Sequence, residues 1–329
     1  MPEAVCGYYG KLPVSPEFLR FHAAGPEVRE LDEWFERGIQ YAKTRAGSEW
    51  PTLVSQADVW NFLFVPEGEG RVVCGAVFAS RDRAGRSFPF LTFLLLEGRR
   101  VSPAPWLIPL QCRLFLETAR QLLHQLRLDL DWEAFRARAE LLENEVDRDG
   151  GGEAGFHDYL SRTTVTEFRN GLGDEGEDTT EPANDAGRHV SSKSCSQVSG
   201  WGWCHPLLKG SIGETYDVPF WLEYHARWSA TRPNPLSTTL AFWNRGPSKV
   251  APCILVSVGC PSPNLARFII SPELGDDSWG NGRVWPPDAQ ETVASCSVDC
   301  PTYAGTDGHM SLLQYLDSVG GSHEGQRTT

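Results

Sequence analysis

The sequence predicts a layered α/β domain, and three observations carry that expectation. Two apolar runs of strand length, Val72 to Ala79 and Phe88 to Leu96, flank a polar connection, the pattern of strands buried on both faces. Longer stretches with apolar residues at helical spacing precede and follow them. The resulting order is strand, helix, three strands, several helices, two strands and a helix, which favours a layered α/β fold over a helix bundle or a pure β sandwich.

The elements follow in turn. Val5 to Leu12 reads as a short strand, and Pro13 to Phe18 as a turn leading the backbone out of it. From Pro26 to Ala46, Val28, Leu31, Phe35, Ile39 and Ala42 recur at helical spacing and leave Arg29, Glu30, Glu33 and Arg37 for water. Val59 to Val65 mixes β-branched and aromatic residues and stops at the turn-forming Pro66-Glu67-Gly68-Glu69-Gly70. Pro109 to Leu126 reads as one helix, with Pro109 suited to its first turn. Asp131 caps the next helix, which directs Trp132, Phe135, Ala139 and Leu142 inward. A shorter helical stretch lies near Phe156 to Phe168.

Between Gly171 and Gly200 the character changes. Asp174, Glu175, Glu177, Asp178, Glu181 and Asp185 occur before any positive charge, and serines follow, so a flexible acidic insertion or linker is expected. Structure returns at Trp201, with a helix around Pro219 to Ser229, strands at Thr238 to Trp243 and Cys253 to Val258, and a short helix at Pro263 to Ile270. Beyond Gly275 periodicity fades. The expected division is 1–172 and 201–275 as two parts of one α/β domain, 173–200 as the insertion, and 276–329 as an extension of uncertain order.

Composition narrows the function classes. A chain of 329 residues with 40% hydrophobic content can bury a substantial core, and its net charge of -13 disfavours broad binding to nucleic acid or anionic membrane. The longest apolar runs are about half the roughly 20 residues a membrane span needs. The start of the chain lacks a basic segment followed by an apolar one, so no membrane insertion and a cytoplasmic location are expected. The nine cysteines show no repeated spacing and read as free thiols; Cys74, Cys112 and Cys253 sit inside apolar runs as small hydrophobes.

Candidate chemistry is sparse. Gly7-Tyr8-Tyr9-Gly10-Lys11 lacks the four-residue gap and the following Ser or Thr of a phosphate-binding loop. Gly210-Ser211-Ile212-Gly213 lacks a nucleophile elbow's spacing. Cys195, Cys204 and His205, with Cys296 and Cys300, are residue types that suit zinc, which gives a metal-assisted hydrolase as the competing enzyme reading, but their spacing matches no zinc motif. Glu30, Asp32, Glu33 and Glu36 read as the solvated side of a helix. Trp34, Trp60 and Trp132 read as core, whereas Trp201, Trp203, Trp279 and Trp285 lie in less regular segments suited to an interface. No catalytic residue, metal or cofactor is expected.

The stretch Ser80-Arg81-Asp82-Arg83-Ala84-Gly85-Arg86-Ser87 concentrates three arginines between the two apolar runs of an acidic chain. Together with Lys11 it suggests a docking surface for an acidic or phosphorylated partner, because a guanidinium offers a planar fork of donors. A structural reading stands beside it: Asp82 caps the turn and pairs with Arg86, Gly85 supplies a positive φ, and the motif preserves a hairpin shape.

These two segments also carry a family resemblance. Gly7, Gly10, Lys11, Leu12, Pro13 and Phe18 resemble the opening aromatic-Gly-Lys-Leu-Pro pattern of the TagF family, also called ImpM, of type VI secretion accessory proteins. Ser80, Asp82, Gly85, Arg86 and Pro89 resemble its Ser-x-Asp-x-x-Gly-Arg-x-aromatic-Pro segment. More loosely, Leu240 to Trp243 resembles its Ser-x-Trp-Trp strand, and Gly259-Cys260-Pro261 with Phe268 its closing Gly-Leu-Pro and phenylalanine; Glu17-Phe18 stands where Gly-Asp-Phe is usual. The resemblance implies a three-layer α/β/α sandwich, expected with a mixed central sheet. It also implies a non-enzymatic, post-translational repressor that binds type VI secretion components, a forkhead-associated scaffold protein among them. A third reading moves binding to the acidic stretch Gly173 to Arg188, whose charge suits a basic partner.

Overall fold

The computed structural model describes residues 4–68, 70–97, 104–142, 152–172, 201–209, 212–231, 238–245, 251–259, 261, 264–270 and 308–321. Strands β1 (Ala4–Gly10), β2 (Leu19–Phe21), β3 (Val59–Val65), β4 (Val72–Phe78), β5 (Phe90–Leu96), β6 (Trp201–Pro206), β7 (Thr239–Asn244) and β8 (Cys253–Val258) join one sheet. Its order is β2-β1-β5-β4-β3-β7-β8-β6. Every pairing is antiparallel, which corrects the expected mixed sheet. The physical reason lies in the connections. Short links make β3, β4 and β5 hairpin neighbours, and among the described residues no strand pairs in parallel across a helical crossover.

Helices occupy both faces. α1 (Pro26–Ala46), α2 (Trp50–Gln56) and α9 (Asn264–Ile270) share a core with Tyr9, Phe62, Val77, Phe93, Phe242 and Leu255 from one side of the strands. α3 (Ile108–Gln111), α4 (Arg113–Asp129), α5 (Trp132–Ala139), α6 (Gly152–Arg162), α7 (Val165–Gly171), α8 (Asp217–Ala230) and α10 (Leu312–Gly321) contribute to a second core. That core receives Tyr8, Leu63, Cys74, Phe90, Ala241 and Val256 from the alternate positions of the same strands. Burial on both faces explains why β3, β4 and β5 read as continuous apolar runs.

Three elements differ from expectation. The single helix expected over Pro109 to Leu126 is divided at Cys112, whose φ of -107° leaves the helical region; its thiol is free and buried. The stretch near Phe156 to Phe168 forms two helices, because Thr164 and Glu167 make a capping box that starts a new one. The stretch 276–329 contains α10, whose Leu312, Tyr315 and Leu316 are buried, and Arg227 on α8 holds Asp317 at 2.7 Å. Its short apolar stripe, isolated from other periodic sequence, gave no signal before its packing partners were known. Strands β2 and β6 were not expected either, β2 being three residues long and β6 interrupted by glycine, histidine and proline. Asp131 caps α5 as expected, accepting the Ala134 amide at 3.0 Å. The acidic stretch 173–200 lies outside the described residues, as do Trp279 and Trp285.

Candidate functional site

The loop between β4 and β5 is built around one carboxylate. Asp82 Oδ1 accepts the amides of Ala84 and Arg86, each at 2.9 Å, and its own amide donates to the Arg86 carbonyl at 3.0 Å. Gly85 turns the chain with φ of 81°, a region that favours glycine. Asp82 Oδ2 meets Arg86 Nε at 2.6 Å and Lys11 Nζ at 3.0 Å. The Asp82 side chain is 0% exposed and that of Lys11 only 9%, whereas that of Arg86 is 58% exposed.

This cluster joins the two motif segments. Burial alone would raise the Asp82 carboxyl, but the Arg86 amide, the Lys11 ammonium and the Arg86 guanidinium outweigh it and hold the group well below the usual carboxylate range. Arg86 also donates to the Pro16 carbonyl, and the Arg83 amide donates to the Ser15 carbonyl at 3.1 Å. The Lys11 ammonium lies 4.8 Å from the Phe18 ring centroid, and Phe18 stacks on Tyr9 and meets Phe88 edge-on. Gly10 is required where the strands close up: its φ is 134°, and a Cβ there would overlap the Pro89 carbonyl.

The expected docking residues therefore separate. Lys11 and Asp82 are buried, Arg81 is half-buried, and Arg83 and Arg86 are exposed. Arg81 donates to the Pro51 carbonyl at 3.1 Å, and Trp50 Nε1 donates to Ser87 Oγ at 3.0 Å, so α2 braces the loop from the side. Residue types carry no sign of this brace, since its acceptor is a backbone carbonyl. Among the motif residues, Leu12, Ser80 and Pro89 are buried beside the cluster, Pro13 is exposed, and Gly7 pairs with Phe93 within the sheet. Trp243 lies elsewhere, on β7 between Asn61 and Ile254.

Of the zinc candidates, the two among the described residues point apart. Cys204 and His205 are consecutive on β6, so their side chains leave opposite faces of the sheet: Cys204, a free thiol, packs against the core that holds Cys253, and His205 enters the other. There His205 Nε2 meets His225 Nε2 at 2.8 Å and its ring stacks on Trp221 with centroids 3.9 Å apart. Burial pushes His205 down to about 3. Among the described residues no group of three or more His, Cys, Asp or Glu could hold a metal ion. Cys195, Cys296 and Cys300 lie outside them. Trp203, expected at an interface, is buried against His225 and Trp228. Asp32 is not purely solvated, since it accepts the Tyr9 hydroxyl at 2.9 Å, while Glu30, Glu33 and Glu36 are exposed. No helix among the described residues is long and apolar enough to cross a membrane.

An antiparallel sheet clothed by helices on both faces, with an arginine-bearing loop locked at one end of two central strands, defines an α/β domain that leaves Arg83 and Arg86 of that loop exposed. Residues 7–142 match the family model of the TagF N-terminal domain, type VI secretion system-associated. Both motif segments fall inside the match. That match supports an accessory role in type VI secretion. Among solved structures, the crystal structure of PA0076 from Pseudomonas aeruginosa PAO1 is similar at 18% identity, covering 82% of this chain and 95% of that one with a TM-score of 0.48. No curated protein sequence matches the chain.

Proposed function

We propose that the chain is a non-enzymatic regulator of a type VI secretion system that restrains assembly or firing post-translationally, by binding another component. The observation that carries this reading is the TagF-family match over residues 7–142, which includes the Lys11–Asp82–Arg86 cluster. Helices on both faces of the sheet support the three-layer α/β/α arrangement implied by the resemblance, and such a sandwich serves as a rigid platform. On it Asp82 and Lys11 fix the loop, while Arg81, Arg83 and Arg86 contact an acidic or phosphorylated face of the partner. A forkhead-associated scaffold protein in the cytoplasm is the partner expected from the resemblance.

The test is replacement of Arg81, Arg83 and Arg86 together by alanine in cells carrying the secretion cluster. Secretion is derepressed while the purified variant melts at the wild-type temperature. Full repression by the triple variant refutes docking through this loop. A parallel deletion of Gly173 to Arg188 leaves partner recruitment unchanged.

A further inference from the structure

We infer that α10 is a helical strap docked in a groove of its own chain, and that this groove is a binding site for an amphipathic helix of a partner, which displaces α10 to enter. The site is separate from the Ser80–Ser87 loop: α10 lies across α6 and α8, outside the matched residues 7–142. Its contact face is a stripe at helical spacing, with Leu312 and Leu316 fully buried, Tyr315 3% exposed and Val319 half-buried. Tyr315 stacks on Tyr224 of α8 with ring centroids 6.0 Å apart, and Asp317, at the edge of the stripe, meets Arg227 of α8 at 2.7 Å. Backbone bonds fix the entry to the groove, from the Val165 amide to the Met310 carbonyl and from the Leu312 amide to the Thr163 carbonyl, each at 2.9 Å.

The groove keeps its shape through contacts that do not involve α10. Asp217 of α8 accepts the Leu208 amide at 2.8 Å, Trp221 Nε1 donates to the Pro206 carbonyl at 3.3 Å, and Phe220 packs on Phe168 of α7. α6 is held through Tyr159, which stacks on Tyr216. Glu223 accepts from Arg227 Nε at 2.9 Å, so the cation stands at the groove's edge independently of Asp317. α10 has only ten residues, too few to persist as a helix in water, and its Ser311–Gln314 capping box serves a helix that docking sustains. Folding and docking of the strap are therefore coupled. Ordering the segment offsets part of what its burial contributes, so the strap opens more readily than the sheet. The present occupant also defines what the groove accepts: apolar side chains at the first, fourth, fifth and eighth positions of a helix, with a carboxylate at the sixth for Arg227. A strap on the same chain competes at an effective concentration on the order of millimolar, so a partner helix enters only if it matches that pattern closely.

Hydrogen exchange on the full-length protein tests the strap, and a labelled synthetic peptide of residues 308–321 tests the groove. The α10 amides exchange faster than those of β3, β4 and β5. Asp317→Arg speeds α10 alone, by about fivefold, the scale of a partly exposed ion pair. Exchange of α10 in step with the sheet overturns the strap. Leu316→Asp puts a charge on the strap's buried face and frees the groove without altering any groove residue, while β3, β4 and β5 exchange as in the wild type; a sheet that opens together with α10 in this variant also overturns the strap. By fluorescence anisotropy the peptide binds the full-length Leu316→Asp chain and binds the wild-type chain far more weakly, because the wild-type strap competes. A peptide carrying Leu316→Ser binds the Leu316→Asp chain at least about tenfold more weakly than the unaltered peptide, the scale of an apolar side chain lost from a pocket. No binding to the Leu316→Asp chain, or binding indifferent to Leu316→Ser in the peptide, overturns the groove as a helix site. So does a dimer of the wild-type chain that the peptide dissociates, because the occupant is then α10 of a second copy.

Discussion

Removal of the Asp82 carboxylate is the perturbation that separates the buried half of the loop cluster from its exposed half. In Asp82→Ala two backbone amides lose their acceptor, and the Lys11 ammonium, 9% exposed, is left without a carboxylate. Breaking a buried ion pair from one side costs about 3–5 kcal/mol, a large share of the roughly 5–15 kcal/mol by which domains are stable. Arg86→Ala removes a guanidinium that is 58% exposed, and exposed pairs are worth about 0–1 kcal/mol. Urea denaturation followed by tryptophan fluorescence measures both. Lys11→Met combined with Asp82→Ala then recovers part of the loss, because the stranded ammonium is gone; the two substitutions couple by about 2 kcal/mol. A loss below about 1 kcal/mol in Asp82→Ala, or strict additivity in the double variant, refutes the assignment of Asp82 as the tie between the two segments.

Other outcomes follow from the same structure. His205 is neutral in the folded chain down to about pH 3, against a usual value of 6.5, so the unfolded chain takes up its proton first and stability falls as pH drops from 6.5 toward 3. Between pH 6.5 and 4.5 the fall amounts to about 3 kcal/mol; denaturation free energies at pH 7.5 and 4.5 measure it, and an unchanged pH profile in His205→Gln refutes the attribution. Tyr315→Ala empties a buried site where α10 stacks on Tyr224, at a cost of about 3–5 kcal/mol in the same denaturation assay; a surface-like loss below about 1 kcal/mol shows that α10 is not part of the core. Gly10→Ala forces Pro89 aside and lowers the melting temperature; a wild-type melt contradicts the close approach of β1 to β5.

How much was legible in the sequence depended on burial geometry. β3, β4, β5 and α1 were readable because their apolar residues follow a period that one or two buried faces impose. β2 was hidden because three residues hold no period, and α10 because its apolar stripe acquires meaning only against α6 and α8. Sheet direction was hidden as well, since the alternation of strands and helices is compatible with either sense until pairing partners are known. In the candidate site, Asp82, Gly85 and Arg86 declared a constrained turn by residue type. The burial of Lys11 and the grip of Arg81 on Pro51 are long-range facts that no local spacing encodes.

The reading of the arginine loop as a fold element and the proposal that it docks a partner are compatible, because the contacts that hold the turn converge on the Asp82 carboxylate and leave the Arg83 side chain out. The Asp82 carboxylate uses Oδ1 on backbone amides and Oδ2 on Lys11 and Arg86, which fixes the loop against Ser15, Pro16 and the Phe18 ring platform. A loop fixed in this way loses little conformational freedom on meeting a partner, so the cost of ordering it at the interface is reduced in advance. On the docking proposal, charge replacement at Arg83 alters association without moving the fold, whereas replacement at Asp82 alters both. The ratio of those effects, measured as partner affinity against denaturation midpoint across the loop variants, distinguishes a presented surface from a turn that serves only itself.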